Sequence, residues 1–148
     1  MNGRKRVVIT GMGAMTPLAL TLEESWTELL AGRSGVGLIT QFDASESPSR
    51  IAGEIKGFDP EAFIDRKEAR RMARCSQVSV AVAHAALADA GLVIPLVNQD
   101  RVGVLMGTAV GGFEQSVKVI DSHRAKGWAR VNPFTAIGML LNMPSHHV

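Results

Sequence analysis

The fold of this chain is decided by the stretch Arg6-Val7-Val8-Ile9-Thr10-Gly11-Met12-Gly13, near the start of its 148 residues. Its β-branched residues, followed at once by glycines, are typical of a short strand that a parallel sheet buries on both faces. A second apolar run, residues 101–106, also precedes a glycine-rich turn. Because helical patterns lie between and after these runs, the sequence predicts an α/β fold with right-handed crossovers.

The composition excludes several classes of protein. Hydrophobic residues make up 46% of the chain and charged residues 20%, as in a globular protein with a core. The formal net charge of +2 lacks the excess that nucleic-acid binders carry. The single cysteine, Cys75, leaves no internal disulfide and suits a reducing compartment. No run approaches the roughly 20 apolar residues of a membrane span. We therefore expect a cytoplasmic protein that binds neither nucleic acid nor a membrane.

The helical segments have recognisable starts and stops. The sequence Thr21-Leu22-Glu23-Glu24 is a capping box, in which the threonine oxygen accepts from a free helix amide and Glu24 reaches back to the cap amide. Gly32 is a typical helix end. Residues 33–60 predict loops, interrupted by a short extended piece at residues 50–55. Residues 66–90 predict one long helix, whose second half is apolar on every side and therefore buried.

The second half of the chain predicts two more helices, one from about Phe113 and one after Asn132-Pro133. The last of these is an apolar run over residues 134–143. Two strands are too few for an α/β layer, which needs several neighbouring elements to cover such apolar strands and the buried helix. The sequence thus predicts the front part of a longer protein.

Two glycine motifs come close to nucleotide-binding patterns without matching them. In Gly11-Met12-Gly13, the third glycine of a dinucleotide fingerprint is replaced by Thr16. After Gly107 and Gly112, Phe113 and Glu114 stand where a P-loop needs lysine and a hydroxyl. We interpret both motifs as turns in which glycines allow another backbone to come close.

The residues that could carry chemistry do not assemble a centre. His84 lies in the apolar part of the long helix and predicts a hydrogen-bonded core histidine. His146 and His147 are adjacent, so they cannot form a metal-binding pair one helical turn apart. Cys75 has no base nearby in sequence, although Arg74 could lower its pKa, and it is interpreted as a packing residue. We predict no catalytic residue, metal ligand or cofactor site here.

A basic stripe precedes the apolar half of the long helix. Its members recur at helical spacing and are Arg66, Lys67, Arg70, Arg71 and Arg74. One interpretation is a solvated face with Asp65 and Glu68 as local partners. The other is a docking site for an acidic macromolecule. Because the stretch has no aromatic residue for base stacking, an acidic protein surface is favoured over single-stranded nucleic acid.

Six segments of the chain stand together in a recognisable order. They are residues 6–13, Thr16-Pro17, residues 30–35 with Phe42-Asp43, residues 65–72, residues 107–112, and Asn132-Pro133-Phe134 followed by Asn142-Met143. Together they resemble the front of the β-ketoacyl-acyl-carrier-protein synthases, and most closely the elongating condensing enzymes of bacterial type II fatty acid synthesis. The likeness covers essentially all 148 residues.

This resemblance implies a thiolase-like fold and a homodimer. It also implies decarboxylative Claisen condensation between an acyl thioester and a malonyl thioester on a carrier protein. In the family, a cysteine holds the acyl chain and two histidines serve decarboxylation and condensation. Cys75, His146 and His147 do not match them. We therefore expect residues 1–148 to be the N-terminal part of the synthase's N-terminal domain, truncated before the nucleophile, with two core strands plus helices and no activity alone.

The resemblance assigns peripheral roles to residues that are present. Lys67, Arg70 and Arg71 match the basic helix where the acidic acyl carrier protein docks, and Arg130 matches a second basic position. Val110 matches a residue that walls the acyl pocket, and Phe134 lies in the segment near that pocket and the dimer interface. These matches replace the solvated-face interpretation of the stripe.

Three functions remain as hypotheses. The first is a segment of a chain-elongating ketosynthase. The second is a segment of a non-catalytic partner that resembles the chain-length factors, which lack the nucleophile. The third, a nucleotide-binding module, is disfavoured by Thr16 and Phe113.

Overall fold

Six α-helices and one two-stranded sheet make up the regular structure of residues 5–148, the part of the chain that the computed structural model describes. The helices are α1 Leu22–Leu30, α2 Arg66–Ala69, α3 Arg74–Asp89, α4 Phe113–Lys126, α5 Pro133–Gly138 and α6 Met143–His147. The strands are β1 Val36–Leu38 and β2 Ile51–Gly53, and short 3-10 turns cover Pro60–Ala62, Gln99–Arg101 and Trp128–Arg130. The described chain divides into two units, residues 5–58 with 85–94, and residues 59–84 with 95–148.

The sheet lies in the first unit. Strand β1 pairs antiparallel with β2, and β2 confirms the extended piece expected at residues 50–55. Directly after β2, the Glu54 carboxylate accepts hydrogen bonds from the Thr40 amide at 3.0 Å, the Thr40 hydroxyl at 2.8 Å and the Gln41 amide at 3.2 Å. Because these donors follow β1 along the chain, Glu54 closes the loop between the strands.

Helix α1 confirms the predicted capping box in most of its detail. The Thr21 hydroxyl accepts from the Glu24 amide at 3.2 Å, and the helix then runs to Leu30. The Glu24 carboxylate accepts from the Thr21 hydroxyl at 3.0 Å and does not reach the cap amide as expected. Gly32 follows with a φ of 68°, which a glycine adopts without strain, so the predicted helix end is confirmed.

The prediction of two core strands, at residues 7–10 and 101–106, is wrong. Within residues 5–148 the only strand ladder joins β1 to β2. Val7 is 93% exposed and Leu105 is 98% exposed, so neither run is buried. A strand exists only where a neighbour supplies hydrogen-bonding partners, and no described segment pairs with either run. Apolar β-branched sequence therefore does not suffice for a strand.

The prediction of one helix over residues 66–90 is also wrong, because residues 70–73 separate α2 from α3. The Ala69 carbonyl, at the end of α2, accepts from Gln77 Nε2 at 2.7 Å. The Arg74 amide, at the start of α3, donates to Glu114 Oε1 of α4 at 2.8 Å. Side chains thus bond to two of the backbone groups at the break, where the regular helical hydrogen bonds are interrupted.

Helix α3 is less buried than its composition predicts. Only Ser76, Val80 and Ala81 are buried along its 16 residues, and His84 is exposed, so the expected core histidine is corrected to a surface one. The predicted stop is confirmed by Gly91, which has a φ of 65°. An apolar helix becomes buried only where other elements cover each of its faces.

The core of the second unit forms where the break between α2 and α3 meets α4 and α5. Ala69, Met72 and Ala73 are buried there. A Cβ added to Gly112, which precedes α4, would overlap the Gly138 carbonyl and Ala73 Cβ. The expected close backbone approach at this glycine motif is therefore confirmed. Gly138 ends α5, so the apolar run over residues 134–143 is not one helix.

Candidate functional site

A groove of about 620 Å³ opens in the second unit, between α2 and the start of α5. Its lining residues are Asp65, Arg66, Lys67, Arg70, Arg71, Asn132 and Phe134. Six residues were predicted to serve docking or the acyl pocket, and four of them line this groove: Lys67, Arg70, Arg71 and Phe134. The lining combines four cationic side chains, one carboxylate, one amide and one aromatic ring.

Local capping fixes both walls of the groove. On the α2 side, the Asp65 carboxylate accepts from the Lys67 amide at 2.9 Å and the Glu68 amide at 3.4 Å, so the short helix has a defined start. On the α5 side, Asn132 Oδ1 accepts from the Phe134 amide at 2.9 Å, and Pro133 occupies the first turn. The backbones that carry the cations and the ring are therefore both held by short polar side chains.

Lys67 and Arg70 are the cations that the groove leaves uncompensated. Both side chains are exposed, and neither lies within ion-pair distance of a carboxylate in residues 5–148. Arg66, by contrast, pairs with Glu61 at 3.4 Å, in an exposed contact. An uncompensated pair of positive charges on one rim is the arrangement that attracts an anionic surface.

Arg71 has two partners, Glu68 and Phe134, of which only Phe134 also lines the groove. Its Nη1 lies 3.2 Å from Glu68 Oε1, and its guanidinium carbon lies 4.2 Å from the centre of the Phe134 ring. The second contact is a cation–π interaction and joins the segment after α2 to α5. The sequence did not reveal that Phe134 contacts the basic stripe, because this residue lies far along the chain. The helix start at Asn132-Pro133 was the only local feature that indicated where Phe134 would be placed.

Arg130 and Val110 do not line this groove. Arg130 ends the 3-10 turn that begins at Trp128, and its carbonyl accepts from the Ser122 hydroxyl at 3.4 Å. Val110 is 57% exposed and lies in the turn that the Gly111 amide closes by donating to the Thr108 hydroxyl at 3.0 Å. Their roles in docking and in the acyl pocket stay predictions.

The other titratable side chains offer no second centre. Burial raises the pKa of the Cys75 thiol, and the charge of Glu114 adds to the rise, so Cys75 stays protonated and fits a packing role. Burial also lowers the pKa of His147, with a smaller effect from the charge of His146. Across residues 5–148, no three His, Cys, Asp or Glu side chains gather as metal ligands would. No helix in that range has the length and apolarity to cross a membrane.

Sequence and structure comparisons agree on one family. The family model for "Beta-ketoacyl synthase, N-terminal domain" matches residues 4–148. A 3-oxoacyl-[acyl-carrier-protein] synthase 2 from Synechocystis sp. is 45% identical over 146 residues, which cover 96% of this chain and 34% of that protein. A β-ketoacyl synthase structure from Burkholderia phymatum is 32% identical with a TM-score of 0.80, covering 98% of this chain and 36% of its own. The structure of the ishigamide ketosynthase/chain length factor is 30% identical with a TM-score of 0.81, covering 96% of this chain and 36% of its own.

These matches confirm the resemblance that the six sequence segments carry. They also confirm the thiolase-like architecture in its coarse form, since the structural neighbours are ketosynthases. The chain spans about a third of the length of the curated relatives it matches, 34% in the Synechocystis case. The chain belongs to the β-ketoacyl synthase family, and its residues correspond to that family's N-terminal domain.

Proposed function

We propose that this chain is part of a 3-oxoacyl-[acyl-carrier-protein] synthase and that its groove is where the acyl carrier protein docks. The observation that carries the docking proposal is the pair of uncompensated cations, Lys67 and Arg70, on the rim of the groove. The names of the curated relatives supply the partner, an acyl carrier protein. The docking set in this proposal is Lys67, Arg70, Arg71 and Arg130.

Electrostatics explains why such a groove suits a carrier protein. An acidic carrier must find the synthase quickly, deliver its acyl group and leave again. Positive charges at an exposed rim raise the rate of encounter without adding much to the final affinity, because water and salt screen them. The exposed Lys67 and Arg70 therefore favour fast, salt-sensitive and reversible docking over a permanent complex.

The proposed reaction is the elongation of an acyl chain by decarboxylative condensation. The acyl group passes from the carrier thiol to an enzyme cysteine; the malonyl group on a second carrier loses CO₂. The resulting carbanion attacks the acyl carbonyl, a carbon–carbon bond forms, and the cysteine thiolate leaves. We assign these steps to the family's cysteine and two histidines, since burial raises the pKa of Cys75 and makes it a poor nucleophile. Residues 1–148 are then inactive in condensation alone.

In this proposal residues 1–148 bind the carrier and the acyl chain and supply no catalytic residue. Val110 and Phe134 are assigned to the acyl pocket, and the intact protein acts as a cytoplasmic homodimer. Phe134 is 42% exposed, so part of its surface is open to an acyl chain, a second subunit or a docked carrier. The homodimer, the location and the pocket assignments stay predictions.

A non-catalytic partner of a ketosynthase is the second candidate. The likeness to the ishigamide ketosynthase/chain length factor favours it, because that assembly includes a chain length factor. Both candidates use the same docking groove. They differ in whether the protein forms the carbon–carbon bond by itself.

The test uses protein expressed from the complete reading frame, supplied with acyl-carrier and malonyl-carrier substrates. Formation of the 3-oxoacyl product supports the synthase. Carrier binding without product, followed by product when a ketosynthase is added, supports the partner. The docking assignment is tested with Lys67→Gln and Arg70→Gln, which should raise KM for the carrier substrate and leave kcat unchanged. Lys118→Gln, an exposed change on α4, is the matched control. Equal KM values in all variants would discard the docking role.

A further inference from the structure

Arg71 differs from the other cations of the groove in being already engaged. Lys67 and Arg70 face the solvent without an ionic partner in the described chain, whereas Arg71 contacts Glu68 at 3.2 Å and the Phe134 ring at 4.2 Å. Its side chain is 36% exposed, against 54% for Glu68. A guanidinium held between a carboxylate and a ring is restrained in orientation, unlike the side chains of Lys67 and Arg70.

The two contacts of Arg71 use properties that lysine lacks. A planar guanidinium can stack on a ring through its face while it donates hydrogen bonds in its plane to a carboxylate. An ammonium has neither the plane nor the fixed fork of donors. The Phe134 backbone is already fixed by the Asn132 cap, at 2.9 Å. The contact with Arg71 acts on what this cap leaves free, which is the orientation of the Phe134 ring.

We propose that Arg71 is a positioning residue that holds the Phe134 ring as the aromatic wall of the groove, and that its part in docking is exerted through this ring and not through a direct bond to the carrier's carboxylates. This inference rests on the proposed docking function for its effect on affinity. The ring then presents an apolar surface beside Lys67 and Arg70, so the groove favours a partner that offers an apolar side chain next to its carboxylates.

The positioning is tested first without any partner. Protein from the complete reading frame is labelled with 4-fluorophenylalanine, and the ¹⁹F resonance of Phe134 is identified by its loss in Phe134→Leu. We expect Arg71→Lys to shift this resonance, because the stacked guanidinium is gone while the charge is kept. Arg70→Lys, the same chemical change one residue earlier, should leave it in place.

The consequence for docking is tested by titrating the acidic carrier protein calorimetrically. An exposed cation–π contact is worth about two- to fivefold in an equilibrium constant, so Arg71→Lys should weaken binding by about that factor. Its salt dependence should match that of the unmodified protein, since no charge is removed. In a Phe134→Leu background the same change should have almost no further effect, because the ring it acts through is absent.

The outcomes separate this inference from the function it rests on. An unmoved Phe134 resonance in Arg71→Lys, or losses from Arg71→Lys and Phe134→Leu that simply multiply, would overturn the positioning role while leaving carrier docking intact. If no variant and not even the unmodified protein binds the carrier at low salt, docking fails. The resonance shift would in that case still establish that Arg71 positions the ring.

Discussion

Glu54 in the first unit and the Lys67–Arg70 pair in the second show two uses of charge in one chain. The Glu54 carboxylate is buried and accepts from three donors on Thr40 and Gln41. Lys67 and Arg70 are exposed and have no ionic partner among residues 5–148. A buried charge is tolerated only when it is fully bonded, so Glu54 works for the fold. An exposed charge without a partner adds little to the fold and is available for binding.

A basic sequence alone does not identify a binding surface. Of the cations in the stripe, Arg66 and Arg71 each pair with a nearby carboxylate, at 3.4 and 3.2 Å. Only the ion pairs of the folded chain distinguish them from Lys67 and Arg70, which have no such pair within residues 5–148.

The largest effect should come from reversing the two uncompensated charges. We expect Lys67→Glu with Arg70→Glu to weaken carrier binding by at least about tenfold and to flatten its salt dependence, because attraction becomes repulsion. The unfolding midpoint should stay within the scatter of the unmodified protein. Calorimetric titration at two ionic strengths, with thermal melting, measures both. A changed unfolding midpoint with an unchanged affinity would mean that these two charges stabilise the fold and do not bind the carrier.

Removing the cap of α2 should have the next largest effect. Asp65→Ala removes the acceptor for the Lys67 and Glu68 amides, and a lost N-cap typically costs about 1 kcal/mol. Asp65→Asn is the conservative control, since asparagine caps almost as well. Denaturant unfolding of the protein from the complete reading frame gives the free energy of unfolding. Equal losses in the two variants would mean that charge, and not capping, is what Asp65 contributes.

Arg130 should matter less than the groove cations, because it does not line the groove. We expect Arg130→Glu to weaken carrier binding by about two- to threefold, as a long-range charge near the docking site would. Arg124→Glu, in the last turn of α4, provides a basic control on the same unit. An Arg130→Glu effect as large as that of Arg70→Glu would move the centre of the docking surface toward the turn at residues 128–130.

The smallest effect should be on the pH dependence of the free energy of unfolding, through the hydrogen-bonded carboxylate of Glu54. The hydrogen bonds from Thr40, aided by that from Gln41, hold the pKa of Glu54 below its ordinary value of 4.5. The Ser45 amide lowers the pKa of Asp43 in the same way. A carboxylate whose pKa is lower in the folded chain than in the unfolded chain stabilises the fold at pH values above its unfolded-chain pKa. That stabilisation is lost as the pH falls through the folded-state pKa.

The contribution of Glu54 to the free energy of unfolding should therefore hold between neutral pH and about 4.5 and decline below it as Glu54 protonates. Glu54→Gln should be less stable at neutral pH and should lose less on acidification. Denaturant unfolding at several pH values compares the two. Parallel curves for the two proteins would mean that Glu54 titrates alike in the folded and unfolded chain.

The sequence was sufficient to predict structure where the interacting residues are close together along the chain. The Thr21 cap, the turn at Gly32 and the Asn132 cap connect residues within a few positions of each other, so their side-chain chemistry predicts the geometry. The break between α2 and α3 was not predictable in this way. It depends on Glu114, which lies 40 positions from the Arg74 amide that it accepts from.

Six ordered segments of the sequence were enough to indicate the family, and helical spacing placed Lys67, Arg70 and Arg71 on one basic stripe. The absence of strands at residues 7–10 and 101–106 became visible only in the folded chain, because strand formation needs a paired neighbour and not just β-branched residues. Only the tertiary structure brought Phe134 to Arg71, at 4.2 Å. Composition and spacing specify what a side chain can do, and long-range packing selects the partner with which it does it.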